Sequence, residues 1–167
     1  MSLYSQVRTI PSICGIELAF TGSLLPSIIE GYQPFNNALM QNTDFTPTHF
    51  GRASVSFAEE SDDSSAGTSW KQKVTFRFPA SDSSRAYRLH AMLKVKFIKI
   101  KLSNGLDMVI GRNDFMQNAR PVIKISTNET MGQVEFETVS IFSAGFVPNP
   151  DTGGLPDFIP LDLISDI

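Results

Sequence analysis

Four lysines in one short segment are the residues of this chain whose type and spacing most favour a chemical role. They are Lys94, Lys96, Lys99 and Lys101, and Lys71, Lys73 and Arg77 lie nearby in the sequence. No acidic residue interrupts this lysine stripe, so it could bind nucleic-acid phosphates. The intervening residues are mostly aliphatic and offer few aromatic platforms for bases. We therefore favour pairing with the carboxylates of Glu135 and Glu137, or salt bridges between subunits, over direct recognition of nucleic acid.

Residue types that carry catalysis are scarce. The histidines are His49 and His90, the cysteine is Cys14, and none of them lies in a motif for a nucleophile and its base. The chain has no cysteine and histidine spacing typical of zinc. The acidic run at residues 59–63 lacks the glycine and terminal glutamate of a calcium loop. We expect no catalytic residue, no cofactor and no metal site, and predict that the protein is not an enzyme.

Charge is strongly segregated along the chain. Residues 71–124 hold twelve of the fourteen lysines and arginines and three acids, a net charge of +9. Residues 125–167 hold seven acids and no lysine or arginine, and residues 1–70 carry −5. This pattern predicts complementary surfaces. They could pair side by side within one sheet, or between copies of the chain.

The lysine stripe lies on one arm of a predicted β-hairpin at residues 94–111. Two β-patterned arms flank Asn104-Gly105, a strong signal for a tight turn. The alternation of apolar residues changes phase at Phe97-Ile98, which predicts a β-bulge there.

Alternating patterns predict further strands at residues 53–60, 70–78, 121–127 and 133–142. The polar residues 61–69 are predicted to form a long flexible loop. One α-helix is predicted at about 81–93. Its predicted cap is Ser81 or Asp82, and its predicted apolar stripe is Ala86, Leu89, Met92 and Leu93. Arg85 and Arg88 are expected to face water or a partner.

Together these elements predict a mainly β protein, an antiparallel β-sandwich or rolled barrel with one packed α-helix and extended terminal arms. Residues 1–50 are an irregular arm with one short strand at 16–20, residues 51–146 are the core, and residues 147–167 are a Pro-rich acidic arm. The apolar residues of the last arm are expected to dock on the chain's own domain or on a neighbouring subunit. They include Leu155, Phe158, Ile159 and Leu161. No apolar run reaches the roughly 18 residues of a membrane span, and no signal peptide is expected.

Four segments carry a resemblance to a known class of proteins: residues 73–79, 104–115, 121–125 and 134–146. Their order is strand, Asn-Gly hairpin ending in Ile110-Gly111, and a final hairpin, with the predicted helix after the first strand. This order resembles the small structural proteins of tailed bacteriophages, of the tail-tube, tail-terminator and head-to-tail connector types. The resemblance covers about half of the chain.

The resemblance implies a non-enzymatic virion protein that forms a homo-oligomeric ring, six- or twelve-fold, in the tail or connector. Neighbouring tail and connector proteins would be partners, passing DNA would make non-specific contacts, and assembly would take place in the host cytoplasm. Residues 61–69 and 147–167 would be inter-subunit arms. The candidate interface residues are Lys94, Lys96, Lys99, Lys101, Glu135, Glu137, Leu155, Phe158, Ile159 and Leu161.

Two other classes of protein remain as alternatives. A monomeric β-sandwich could be a binding module for protein or carbohydrate, although Trp70 begins a strand and no aromatic cluster marks a sugar platform. A small hydrolase is disfavoured because the chain has few histidines and no nucleophile motif.

Overall fold

The structure is a computed structural model and describes residues 11–24, 40–41, 43–48 and 54–147. The strands of this part of the chain are β1 (Ile13–Ala19), β2 (Ser23–Leu24), β3 (Met40–Gln41), β4 (Thr46–Thr48), β5 (Val55–Ser64), β6 (Gly67–Pro79), β7 (Phe97–Leu102), β8 (Asp107–Ile110), β9 (Val122–Thr127), β10 (Met131–Ser140) and β11 (Gly145–Val147). Between them lie the α-helix α1 (Arg85–Met92) and a 3-10 helix (Asp114–Met116).

The strands form two antiparallel sheets. The first has the order β11-β8-β7-β1-β4, the second has the order β5-β6-β10-β9, and β2 pairs with β3 separately. The inner faces of the two larger sheets share one apolar core. The prediction of a mainly β sandwich with one helix is confirmed.

Period-two alternation places the large apolar side chains between the sheets. Phe76 and Phe136 project from adjacent strands of the four-stranded sheet, and Ile98 and Ile100 project from β7. All four are at most 1% exposed. Burying one such side chain stabilises the fold by about 1.5–3 kcal/mol, so this layer holds the two sheets together.

The strand predicted near the N-terminus lies inside the sandwich. β1 pairs with β7 on one side and with β4 on the other. Its Ile16 and Leu18 are buried in the core. The sandwich therefore includes residues before 51, where the sequence suggested an irregular arm.

The bulge predicted at Phe97-Ile98 is wrong. These two residues pair in unbroken register with Ala19 and Leu18, and the register shift lies instead in β1, between Ile13 and Gly15. Phe97 is buried although it points away from the core, and Gly111, which directly follows β8, lies close to its ring. A Cβ atom at Gly111, where φ is +142°, would lie only 2.4 Å from the Phe97 ring. The two adjacent apolar residues therefore reflect burial of Phe97 on the outer face next to Ile98 in the core, and not a change of register.

The prediction of a loop at 61–69 is also wrong. β5 and β6 continue as a regular ladder to Ser64↔Gly67, and the turn consists of Ser65 and Ala66. Ser64 stabilises this turn, since its hydroxyl donates to the Gly67 carbonyl at 3.0 Å and accepts from the Ala66 amide. The polar composition reflects strands that are exposed on both faces.

The helix is shorter than predicted and packs through different residues. It begins at Arg85, and Ser84 caps it without a side-chain hydrogen bond, while the Asp82 carboxylate accepts from the Arg88 guanidinium. Met92 is buried and Leu89 half-buried, as expected. Ala86 and Leu93, by contrast, are exposed, so this part of the predicted stripe is wrong. The predicted cap is also wrong, because the helix begins after Ser84.

The sequence predicted that the two arginines of the helix face water or a partner, and in the structure both are half-buried and bind backbone carbonyls of the same chain. Arg85 donates to the carbonyls of Ala80 at 2.9 Å and Asn128 at 2.7 Å, and Arg88 donates to the Pro79 carbonyl. These bonds attach the helix to the end of β6 and to the β9–β10 turn. The hydrogen bond from Arg88 also holds the pKa of the Asp82 carboxyl below its usual range.

Candidate functional site

The lysine stripe is divided among three environments. Lys94 is exposed just after the helix, and Lys96 donates to the Gly22 carbonyl at 3.0 Å. Lys99 and Lys101 project from the outer face of the five-stranded sheet and pair with Glu17 on β1. The four ammonium groups therefore do not form one continuous surface.

Glu17 is the centre of a small charged cluster. Its carboxylate lies 2.8 Å from Lys99 Nζ and 2.7 Å from Lys101 Nζ, and it is only 8% exposed. Lys99 also lies over the Phe45 ring, 4.4 Å from the centroid. Burial by itself raises the pKa of Glu17, but the hydrogen bonds and charges of the two lysines outweigh burial and lower the pKa.

We expect Glu17→Gln to lower the free energy of unfolding by about 1–3 kcal/mol at neutral pH, because two partly buried lysines lose their counter-charge. The contribution of Glu17 is complete above the ordinary pKa of a glutamate, since the folded-state pKa is lowered. It is lost as the pH falls through the folded-state pKa.

Urea denaturation of the wild type and the variant across this acidic range measures both effects. The exposed Glu129 is the matched control, since Glu129→Gln should change stability by less than about 0.5 kcal/mol. An undiminished difference between wild type and Glu17→Gln in acid would contradict the assignment.

Glu135 and Glu137 pair with the two nearby lysines on β6, and not with the four lysines of the stripe. Glu135 lies 3.0 Å from Lys73 Nζ, and Glu137 lies 3.2 Å from Lys71 Nζ, both on β6. These pairs lie on the outer face of the four-stranded sheet, on the opposite side of the sandwich from Lys99. The stripe and the two glutamates thus do not meet within the chain, and a contact between subunits stays a prediction.

The apolar candidates of the C-terminal arm lie outside the described residues. They are Leu155, Phe158, Ile159 and Leu161. Their docking stays a prediction, as does the role of residues 148–167 as an arm.

A buried polar node at the end of the sandwich was not identified from the sequence. Arg112 Nε donates to Asp114 Oδ2 at 2.5 Å, and the same oxygen accepts from the Ser140 hydroxyl at 3.2 Å. The neighbouring Asn113 accepts from the Val139 amide and donates to the Ala119 carbonyl. The node ties the segment after β8 to the end of β10. The run Gly111-Arg-Asn-Asp114 carried a signal, because strongly polar residues directly follow a buried strand.

The projecting hairpin is the second feature that sequence reasoning missed. β10 pairs with β6 only as far as Trp70, opposite Ser140. Beyond that point β5 and β6 pair only with each other, as a two-stranded ribbon of three register pairs closed by the turn. The ribbon extends the sheet by about 10 Å. We call residues 62–69 the ribbon tip.

A shallow polar groove lies at the other end of the same sheet. Its volume is about 420 Å³. It is lined by Arg77, Ser126, Thr127, Asn128, Met131, Gly132 and Gln133. Arg77 Nε donates to Gln133 Oε1 at 3.1 Å, which orients the guanidinium, and the Asn128 side chain accepts from the amides of Thr130 and Met131. We call this feature the Arg77 groove.

The residues considered for catalysis are dispersed. His90 borders a cleft of about 230 Å³ with Phe20, Tyr87, Ala91 and Lys94. Cys14 is exposed, and its thiol donates a hydrogen bond to the Lys101 carbonyl. His49 lies outside the described residues. Nowhere in the described part of the chain do three or more His, Cys, Asp or Glu side chains converge as they would to hold a metal ion. Within those same residues, no helix is long and apolar enough to cross a membrane.

The chain was compared with protein-family models, with curated proteins and with solved structures, and no match was found in any of the three comparisons.

Proposed function

We propose that the protein is a non-enzymatic structural subunit of a bacteriophage tail or head-to-tail connector, which assembles with copies of itself into a ring. The observation that carries this proposal is the ribbon formed by β5 and β6. Its outer pairs have no third strand and no covering element among the described residues.

The physical argument is one of stability. An isolated two-stranded hairpin is marginally stable in water, because it orders the backbone without burying apolar surface. The ribbon tip is exposed along its length except for the half-buried Ser69, and it presents no large apolar side chain. Such an element adds little to the stability of a single chain. A contact between the ribbon and a neighbouring subunit would explain why the chain has this element.

The sandwich itself is consistent with this role. The architecture implied by the resemblance to phage structural proteins is a β-sandwich with one helix, as in this fold. Most of the lysines on the two outer faces form ion pairs within the chain. This arrangement favours a structural role for the charges over one in catalysis.

Shortening the ribbon tests the proposal. Replacing residues 63–68 with Asn-Gly, together with Asp62→Ser, closes the hairpin at the hydrogen-bonded register pair of positions 62 and 69 and leaves every contact with β10 in place. We expect an unchanged melting temperature and an association at least about 30-fold weaker, as for the loss of an interface hot spot. Light scattering over a range of protein concentrations measures this, and negative-stain images report the ring. Ser65→Ala, which keeps the ribbon, is the control.

A wild-type chain that stays monomeric at the highest attainable concentration, and forms no ring with tail or connector proteins, would overturn the proposal. That result would favour the monomeric binding module.

A further inference from the structure

The outer face of the four-stranded sheet has three electrostatic zones along the strand direction. Near the ribbon, Glu60 and Asp62 share this face, and Asp63 lies on the other side of the ribbon. Residues 54–70 include no lysine or arginine. In the middle, Lys71 and Lys73 are neutralised by Glu137 and Glu135.

At the far end of the same face the charged side chains are two cations, while the exposed Glu129 lies in the β9–β10 turn next to the groove residue Asn128. Arg77 projects there in register with Gln133, and Lys124 lies one row back, opposite Glu135. Both cationic side chains are exposed. In the part of the chain that the structure describes, no carboxylate lies within salt-bridge distance of either one. The sheet face thus runs from acidic at the ribbon to basic at the groove.

The acidic and basic ends cannot meet within one chain. Arg77 lies nine positions after Thr68 of the ribbon tip along a single extended strand, β6. At about 3.3 Å per residue this is a distance of about 30 Å. Any pairing between the two ends must therefore join different copies.

We propose that the ribbon tip of one copy docks in the Arg77 groove of a second copy, head to tail. The carboxylate of Asp62 would accept charge-assisted hydrogen bonds from the Arg77 guanidinium, which its bond to Gln133 already orients. Asp63, on the other face of the ribbon, accepts from the Thr68 hydroxyl and would add to the negative charge of the tip. This inference rests on the proposed function, because it names the contact through which copies associate. The interface is heterologous, so repetition closes a ring or extends a filament.

Charge complementarity selects this occupant over nucleic acid. Phosphates would be attracted to Arg77 and Lys124, but a polyanion that continued along the sheet face would reach Glu60 and Asp62, which repel it at short range. The intervening face offers no uncompensated positive track, because Lys71 and Lys73 are paired. A short acidic hairpin matches the short basic end better than an extended polyanion does.

Disulfide trapping tests the geometry. In a Cys14→Ser background, Ser65→Cys places a thiol at the turn of the ribbon tip and Ser126→Cys places one in the groove, and both leave the charged residues of the contact unchanged. We expect this double variant to form a ladder of disulfide-linked dimers and larger species on mild oxidation, since each copy carries both halves of the contact. Ser65→Cys with Val122→Cys is the matched control. Val122 is exposed on the same sheet face but lies outside the groove, so no ladder is expected.

Charge reversal tests the energetics. Asp62→Arg with Asp63→Arg, and separately Arg77→Glu, should each weaken association by at least about tenfold. All three substitutions in one chain should restore much of it. The milder Arg77→Gln keeps the test valid if Arg77→Glu alters the melting temperature.

The outcomes separate the inference from the proposed function. A wild type that assembles, with reversal variants that assemble equally well, would overturn the inference and leave the proposed function standing. A wild type that never assembles would overturn the proposed function and the inference with it. DNA binding that is lost in Arg77→Gln while self-association is unchanged would show nucleic acid to be the occupant of the groove, against the inference.

Discussion

Phe136→Ala is expected to lower the free energy of unfolding by about 3–5 kcal/mol. Phe136 is 0% exposed and lies opposite Val74 on one side and Ile123 on the other. It packs in the shared core against residues of the five-stranded sheet. Removing the ring leaves a cavity at the junction of the two sheets, and close-packed neighbours collapse into such a cavity only in part.

Equilibrium denaturation of the wild type and the variant measures this loss. The matched control is Val122→Ala on the adjacent strand, because Val122 is 56% exposed and should change stability by less than about 0.5 kcal/mol. A loss below about 1 kcal/mol for Phe136→Ala would mean that the sheets do not pack through this residue.

Asp114→Ala is expected to destabilise the fold by a similar amount, about 3–5 kcal/mol. The substitution removes the acceptor for Arg112 Nε and for the Ser140 hydroxyl. Arg112 is 8% exposed, so its charge would lose a partner in a place that water reaches poorly. Removing the carboxylate that a nearly buried arginine binds costs more than the intact pair contributes.

A double-mutant cycle with Arg112→Met separates the pair from the rest of the node. Asp114→Ala in the Arg112→Met background should cost much less than it costs alone, because no buried cation is left behind. Additive losses from the two substitutions, measured by urea denaturation, would show that the two side chains do not act as a pair. Asp114→Asn, which keeps an acceptor oxygen, should lie between wild type and alanine.

The sequence was informative wherever a local pattern sufficed. Strict alternation in residues 133–142 placed Val134 and Phe136 on one face and Glu135 and Glu137 on the other, as the structure has them. Asn104-Gly105 predicted the turn between β7 and β8, and Gly105 adopts a φ of +82°. These features depend on neighbours two residues apart or on the backbone freedom of one glycine.

Partners for charged groups were much less accessible to sequence reasoning. Glu17 lies 82 positions before Lys99, and only the pairing of β1 with β7 brings them together. Glu135 and Glu137 bind the nearby Lys73 and Lys71, and not the four lysines of the stripe. Which strands are adjacent decides this, and strand order is a property of the whole sheet.

The polar composition of residues 61–69 predicted a loop where the structure has two strands, because exposed strands and loops have similar compositions. Their ladder is set by the register that continues from the buried part of β5 and β6.

By itself, the sequence determined the alternating faces, the tight turns, the apolar core and the segregation of charge, since each follows from residue type and short-range periodicity. Only the tertiary structure decided that Glu17 neutralises two lysines, and that an acidic ribbon and a basic groove lie about 30 Å apart on one sheet face. Both depend on contacts and distances between segments that no local pattern encodes.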